Sequence, residues 1–202
     1  MEGAEVPYKL EQVSLYGSGG KPSWFMKLNP RGQVPVLVVK DDNDTDKVVL
    51  ADSDLILDEM GMVMDSVFPK TQPNSSNQSL ETESSDEEKV AKIQSFRSAL
   101  NEFLPIGKSA VLGGDKNRMW SKLRELDALM DTNGQPSYII TGTNRPTVAD
   151  CAAFPFLWRI DQEFGSTSWE DNGCQNIPSW LDFCKKQPPF KNSIQRSWWW
   201  WW

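Results

Sequence analysis

The stretch from Lys21 to Leu37, KPSWFMKLNPRGQVPVL, together with Ala51-Asp52-Ser53-Asp54 beyond it, constrains this chain more than any other feature. A proline inside an apolar strand removes a ladder donor, so Pro35 belongs at an edge or an irregular site. If its peptide bond is cis, Val34 turns its backbone N–H and C=O outward instead of toward the sheet. An exposed edge of that kind pairs with an extended peptide. Ser53, at the start of the following helix, offers a hydroxyl and free N–H groups to a carboxylate. An edge beside an anion hole fits a short acidic peptide that carries a thiol. The same residues also fit a strand with an awkward proline and an ordinary helix cap.

Hydrophobic spacing predicts the other elements. Tyr8 to Leu15 alternates as a strand and closes on Gly17-Ser18-Gly19-Gly20, which lacks the Lys-Ser/Thr ending and following helix of a phosphate loop. Trp24 to Asn29 reads as a helical turn, and Val34 to Lys40 and Lys47 to Leu50 as strands joined through Asp41 to Asp46. Ile56, Met60, Val63 and Val67 fall at helical spacing before Pro69. Residues 71–88 are polar and acidic, and they predict a flexible linker. Asn74 and Asn77 match glycosylation sequons there, and Ser84 and Ser85 sit among acids. Val90, Ile93, Phe96, Leu100 and Phe103 mark a helix that meets Pro105, and Trp120, Leu123, Leu126 and Met130 mark another.

Thr147 to Phe164 predicts a buried helix in which Thr147 caps a free N–H and Asp150 reaches back, with a kink at Pro155. This pair serves folding. Ser179 to Lys186 is expected as a last short helix before Pro188-Pro189. The fold class is α/β followed by all-α.

Charge and composition exclude several functions. A net charge of −7 and a pI near 4.7 oppose binding to nucleic acid, which needs basic stripes, and to anionic membrane surfaces. No apolar run is long enough to cross a membrane, and there is no signal-like start. Three cysteines, Cys151, Cys174 and Cys184, make no disulfide framework and read as reduced core thiols. The absence of histidine excludes Ser–His and Cys–His nucleophilic systems and nearly every catalytic zinc site, so no metal is expected.

The residues Lys21-Pro22-Ser23-Trp24-Phe25, Leu28-Asn29-Pro30, Gly32-Gln33-Val34-Pro35-Val36-Leu37 and Asp52-Ser53-Asp54 resemble the glutathione-binding half of the soluble glutathione transferases. The likeness is nearest to their cysteine-type branches, the omega, lambda and dehydroascorbate-reductase groups. Thr147-Val148-Ala149-Asp150 is similar to the helix start of that family's helical domain. The resemblance implies a thioredoxin-like domain, here residues 1–69, and a helical domain, residues 89–197, with the acidic linker over 70–88 between them and a poly-tryptophan tail over 198–202. It implies that Val34, before Pro35, pairs with the cysteinyl backbone of glutathione. Asp52 and Ser53 hold the γ-glutamyl end, and Lys21 is a further polar contact. Glutathione is then a co-substrate, and the family implies a homodimer and a cytoplasmic setting, unless a lost N-terminal peptide directs the chain to an organelle.

Family members open with a strand and a helix whose first turn carries the catalytic cysteine, serine or tyrosine. Here Met1 to Glu5 reads as the tail of that helix, so no catalytic residue is assigned. A fragment or mis-started reading frame is the preferred explanation. A non-catalytic relative and a sheet completed by another chain are the alternatives.

Two functions follow. One is glutathione-dependent conjugation of a small-molecule electrophile, or reduction of an oxidised acceptor through a mixed disulfide, with Phe103 and Trp120 in the acceptor pocket. The other is a non-catalytic module that uses the tripeptide site, or Trp198 to Trp202, for association.

Overall fold

A computed structural model describes residues 8–14, 20–40, 46–67, 81–130, 132, 135–140 and 145–197. The expected helix tail at Met1 to Glu5, residues 70–80 of the expected linker and the tryptophan tail lie outside them. The chain divides into two compact units, the first reaching Gln72 and the second running on from Pro73.

The first unit contains α1 (Ser23–Leu28), β1 (Leu37–Lys40), β2 (Asp46–Leu50) and α2 (Ser53–Val67). Helix α1 stops at Asn29, which is extended at φ −134° and ψ 96°. Pro30 follows, and a residue before proline is disfavoured in the helical region. Strands β1 and β2 pair antiparallel in the register Leu37↔Leu50, Val38↔Val49 and Val39↔Val48, with an irregularity between Val39 and Lys40. The strand expected to begin at Val34 begins three residues later. Pro35 has no N–H to give a ladder, so regular pairing waits until it is passed.

The strand expected over Tyr8 to Leu15 is not formed, since residues 8–14 have no regular structure. Alternation supplies only a preference, whereas a strand exists through its partner. Among the described residues β1 and β2 pair only with each other. Phe25, Asn29 and Gly32 are the buried positions of this unit among the described residues.

The second unit is helical: α3 (Glu81–Val111), α4 (Lys116–Leu129), α5 (Val148–Phe164), α6 (Ser168–Asp171), α7 (Asn176–Cys184) and α8 (Pro188–Ser197). Helix α3 packs on α4 and α5, and α7 packs on both of those. Two expectations for α3 are corrected. It begins at Glu81, so residues 81–88 are helix instead of flexible linker, and it passes through Pro105 instead of ending there. Phe96, Leu100, Phe103 and Ala110 are all buried along it, a stripe that continues on both sides of the proline. Packing along that stripe outweighs one missing backbone bond. Val90, by contrast, is 51% exposed and lies off the core.

Helix α4 is capped by Asp115, whose carboxylate accepts from the N–H groups of Asn117 at 2.9 Å and Arg118 at 3.1 Å. Helix α5 opens on the expected capping box, with Thr147 Oγ1 accepting from Ala149 N and Asp150 Oδ2 accepting from Thr147 N. It runs unbroken across Pro155. Helices α6 and α8 were not expected. Pro188 and Pro189, expected as a stop, instead open α8, where the missing N–H costs nothing and the fixed φ is already helical. No helix among the described residues is long and apolar enough to cross a membrane.

Candidate functional site

The candidate site lies in the first unit, on the loop from Asn29 to Val36 and the start of α2. The loop opens with a turn in which Gly32 N donates to Asn29 O at 2.8 Å across Pro30 and Arg31. Pro at the second position of such a turn is preset for it. The Asn29 side chain, 3% exposed, accepts from Arg31 N at 3.1 Å and donates to Gln33 O at 2.7 Å. Gly32 has φ +64°, which side-chain-bearing residues rarely adopt. A Cβ there would meet Lys21 Nζ at 2.9 Å and Met26 Sδ at 3.2 Å. The Lys21 side chain therefore lies against the Gly32 backbone, and it makes no ion pair among the described residues.

From this turn the chain emerges at Val34, 47% exposed, and the Val34–Pro35 bond is cis. Val34 sits before β1 and outside its ladder, so it is not part of a hydrogen-bonded interior.

At the start of α2, Asp52 acts on its own helix. Its Oδ1 accepts from Asp54 N at 2.8 Å and Leu55 N at 3.4 Å. Sequence reasoning gave Asp52 a ligand-holding role. In this structure its carboxylate occupies two of the orphan N–H groups at the helix start, as a cap does. Ser53, exposed, presents its hydroxyl with no hydrogen-bond partner among the described residues. Val34 and Pro35 thus belong to the loop, Lys21 lies against it from ahead of α1, and Asp52 and Ser53 open the helix after β2.

The two residues proposed for an acceptor pocket are corrected. Phe103 is 1% exposed and Trp120 6% exposed, both within the core of the second unit. Phe103 lies over Gly107, where a Cβ would come within 2.6 Å of its ring. Trp120 meets Phe164 and Trp169 edge to face, at centroid distances of 5.9 and 5.4 Å. Large aromatics at helical spacing are the usual makings of a core, and these two are spent on it.

Two of the three cysteines lie in the core, and Cys151 is half-buried. Cys174 and Cys184 are fully buried. Burial pushes Cys151 up to about 11 and Cys174 up to about 12, and it raises Cys184 further. An activated thiol moves the opposite way. No group of metal-ligating side chains is assembled among the described residues.

Residues 2–61 match the family model described as Glutathione S-transferase, N-terminal domain. The first unit is thus similar to a glutathione S-transferase N-terminal domain. Lys21, Val34, Pro35, Asp52 and Ser53 all fall within the matched residues of this thioredoxin-like domain. Two solved structures are similar over most of the chain. A glutathione transferase homolog from Lodderomyces elongisporus, with two GSH per subunit, is 19% identical; the likeness covers 86% of this chain and 80% of that one, with a TM-score of 0.48. Glutathione S-transferase III in its apo form is also 19% identical, over 85% of this chain and 76% of that one, with a TM-score of 0.47. A comparison with curated proteins finds no match.

Proposed function

We propose that this protein binds glutathione on its first unit and serves glutathione-dependent chemistry, either conjugation to a small-molecule electrophile or thiol transfer of the dehydroascorbate-reducing kind. The observation that carries the reading is Val34, exposed and held outside the ladder by a shaped turn, within residues that match a glutathione S-transferase N-terminal domain. In this reading the cysteinyl backbone of the tripeptide pairs alongside Val34. The γ-glutamyl carboxylate sits at the N-terminus of α2, on the Ser53 hydroxyl and its N–H, where the helix dipole favours an anion. Asp52 keeps that helix start in shape, and Lys21 supplies a positive charge beside the loop. Omega- or lambda-type membership, a homodimer and a cytoplasmic setting complete the proposal.

A second reading, a module that binds glutathione without turning it over, is favoured by the thiols. All three belong to the second unit, where desolvation raises them above the usual thiol range. Calorimetric titration with glutathione tests binding. Ser53→Ala, at an exposed position, is expected to weaken it about tenfold, the effect of one hydrogen bond to a charged group. An unbound wild-type protein refutes both readings. Turnover of a chromogenic aryl halide or of dehydroascorbate selects the enzyme, and binding without turnover selects the module.

A further inference from the structure

Asn29 is polar, yet it is buried while its neighbours Pro30, Arg31 and Gln33 are exposed. Its side chain spans the turn, with Oδ1 on Arg31 N and Nδ2 on Gln33 O, and its carbonyl accepts from Gly32 N. Its own N–H donates to Phe25 O at 2.9 Å, which fastens the turn to α1. Four hydrogen bonds on one residue thus tie the segment immediately before Val34 to the buried end of α1. The loop is further approached at Gly32 by the Lys21 and Met26 side chains.

From this geometry we infer that Asn29 is a positioning residue for glutathione, an inference that rests on the binding reading above. It touches no ligand. It fixes Gln33, so that Val34 is presented in a single conformation, and the ordering of the loop is complete before the tripeptide arrives. The Asn29→Ala variant loses both side-chain bonds. The Asn29→Asp variant keeps the acceptor for Arg31 N but sets a carboxylate oxygen against Gln33 O. Asn29→Ser keeps an acceptor without opposing charge.

The test combines amide hydrogen exchange of the unliganded full chain with calorimetric titration of glutathione. Asn29→Ala and Asn29→Asp are expected to speed exchange over residues 31–36, with α4 and α5 unchanged, and to weaken glutathione about tenfold. Asn29→Ser is expected to fall between them and wild type. Unchanged exchange over residues 31–36 overturns the inference, as does faster exchange with affinity held within twofold of wild type. Should Asn29→Ala unfold the first unit, the comparison of Asn29→Ser with Asn29→Asp decides by the same criteria. Failure of wild type itself to bind glutathione marks the binding reading as the one at fault, because the exchange result stands apart from it.

Discussion

Buried carboxylates, each accepting from several donors, organise the second unit. Asp150 Oδ1 accepts from Ile139 N at 2.8 Å and Trp180 Nε1 at 2.9 Å, while its Oδ2 accepts from Thr147 N and Oγ1. Burial pushes this carboxyl above its usual range, and the donors around it pull against that. Asp127 on α4 accepts from Ile177 N at 2.7 Å and Gln175 N at 3.1 Å, so it caps α7, which has no side-chain cap of its own. Asp161 accepts from Trp169 Nε1 and Lys185 Nζ. Asp150→Asn keeps the shape but turns an amide N–H2 toward a donor. It is expected to cost about 2–4 kcal/mol in urea unfolding, because one buried donor loses its partner. Half of the Asp150 arrangement was legible in advance, since a Thr three residues before an Asp at a helix start spells the capping box. The Ile139 and Trp180 contacts, and the whole roles of Asp127 and Asp161, were not. Their partners lie from eight to fifty residues away, outside the local helix-start pattern.

Elements follow packing more than punctuation. Proline at 105 signals a helix end, yet α3 continues six residues past it because Gly107 and Ala110 remain on the buried stripe. Gly107 has a positive role, since only a residue without Cβ lets the Phe103 ring lie back along the helix. Pro105 is exposed, which leaves its backbone penalty uncompensated by side-chain packing. Pro105→Ala restores a donor for the carbonyl four residues earlier, and it is expected to raise unfolding stability by about 1–3 kcal/mol, read from the urea midpoint at constant slope. In the first unit the local signals were stronger. Asp52-Ser53 started α2 as expected, and Pro35 kept β1 from reaching back to Val34.

At the scale of the whole molecule, the cores of the two units differ in kind. The second buries interlocked aromatics, with Phe154 against Trp180 and Phe190, and Tyr138 against Phe183. Cys174 and Cys184 lie within that packing. At about pH 8, Cys174 with a pKa of about 12 should react with a thiol reagent roughly a thousandfold more slowly than an ordinary cysteine, and denaturant should restore the rate.

The folded pKa of Cys174 lies above the unfolded one, so its contribution to stability is complete below about pH 9. It falls as pH rises toward about 12, by about 1.4 kcal/mol per pH unit. Urea midpoints measured across that range check the sign. Rapid modification of all three thiols in the native protein would contradict the core described here.

The sequence by itself determined the class of the fold and the starts of α2 and α5. Each of these is encoded within a few residues, by a missing N–H, a cap or a short spacing. Only the tertiary structure decided that Phe103 and Trp120 are core, that Asp52 spends its carboxylate on its own helix, that Tyr8 to Ser14 lacks a ladder and that Asn29 is buried. Those outcomes depend on what comes to lie against a residue, and a ladder partner, an aromatic neighbour or a buried donor can be brought there only by folding.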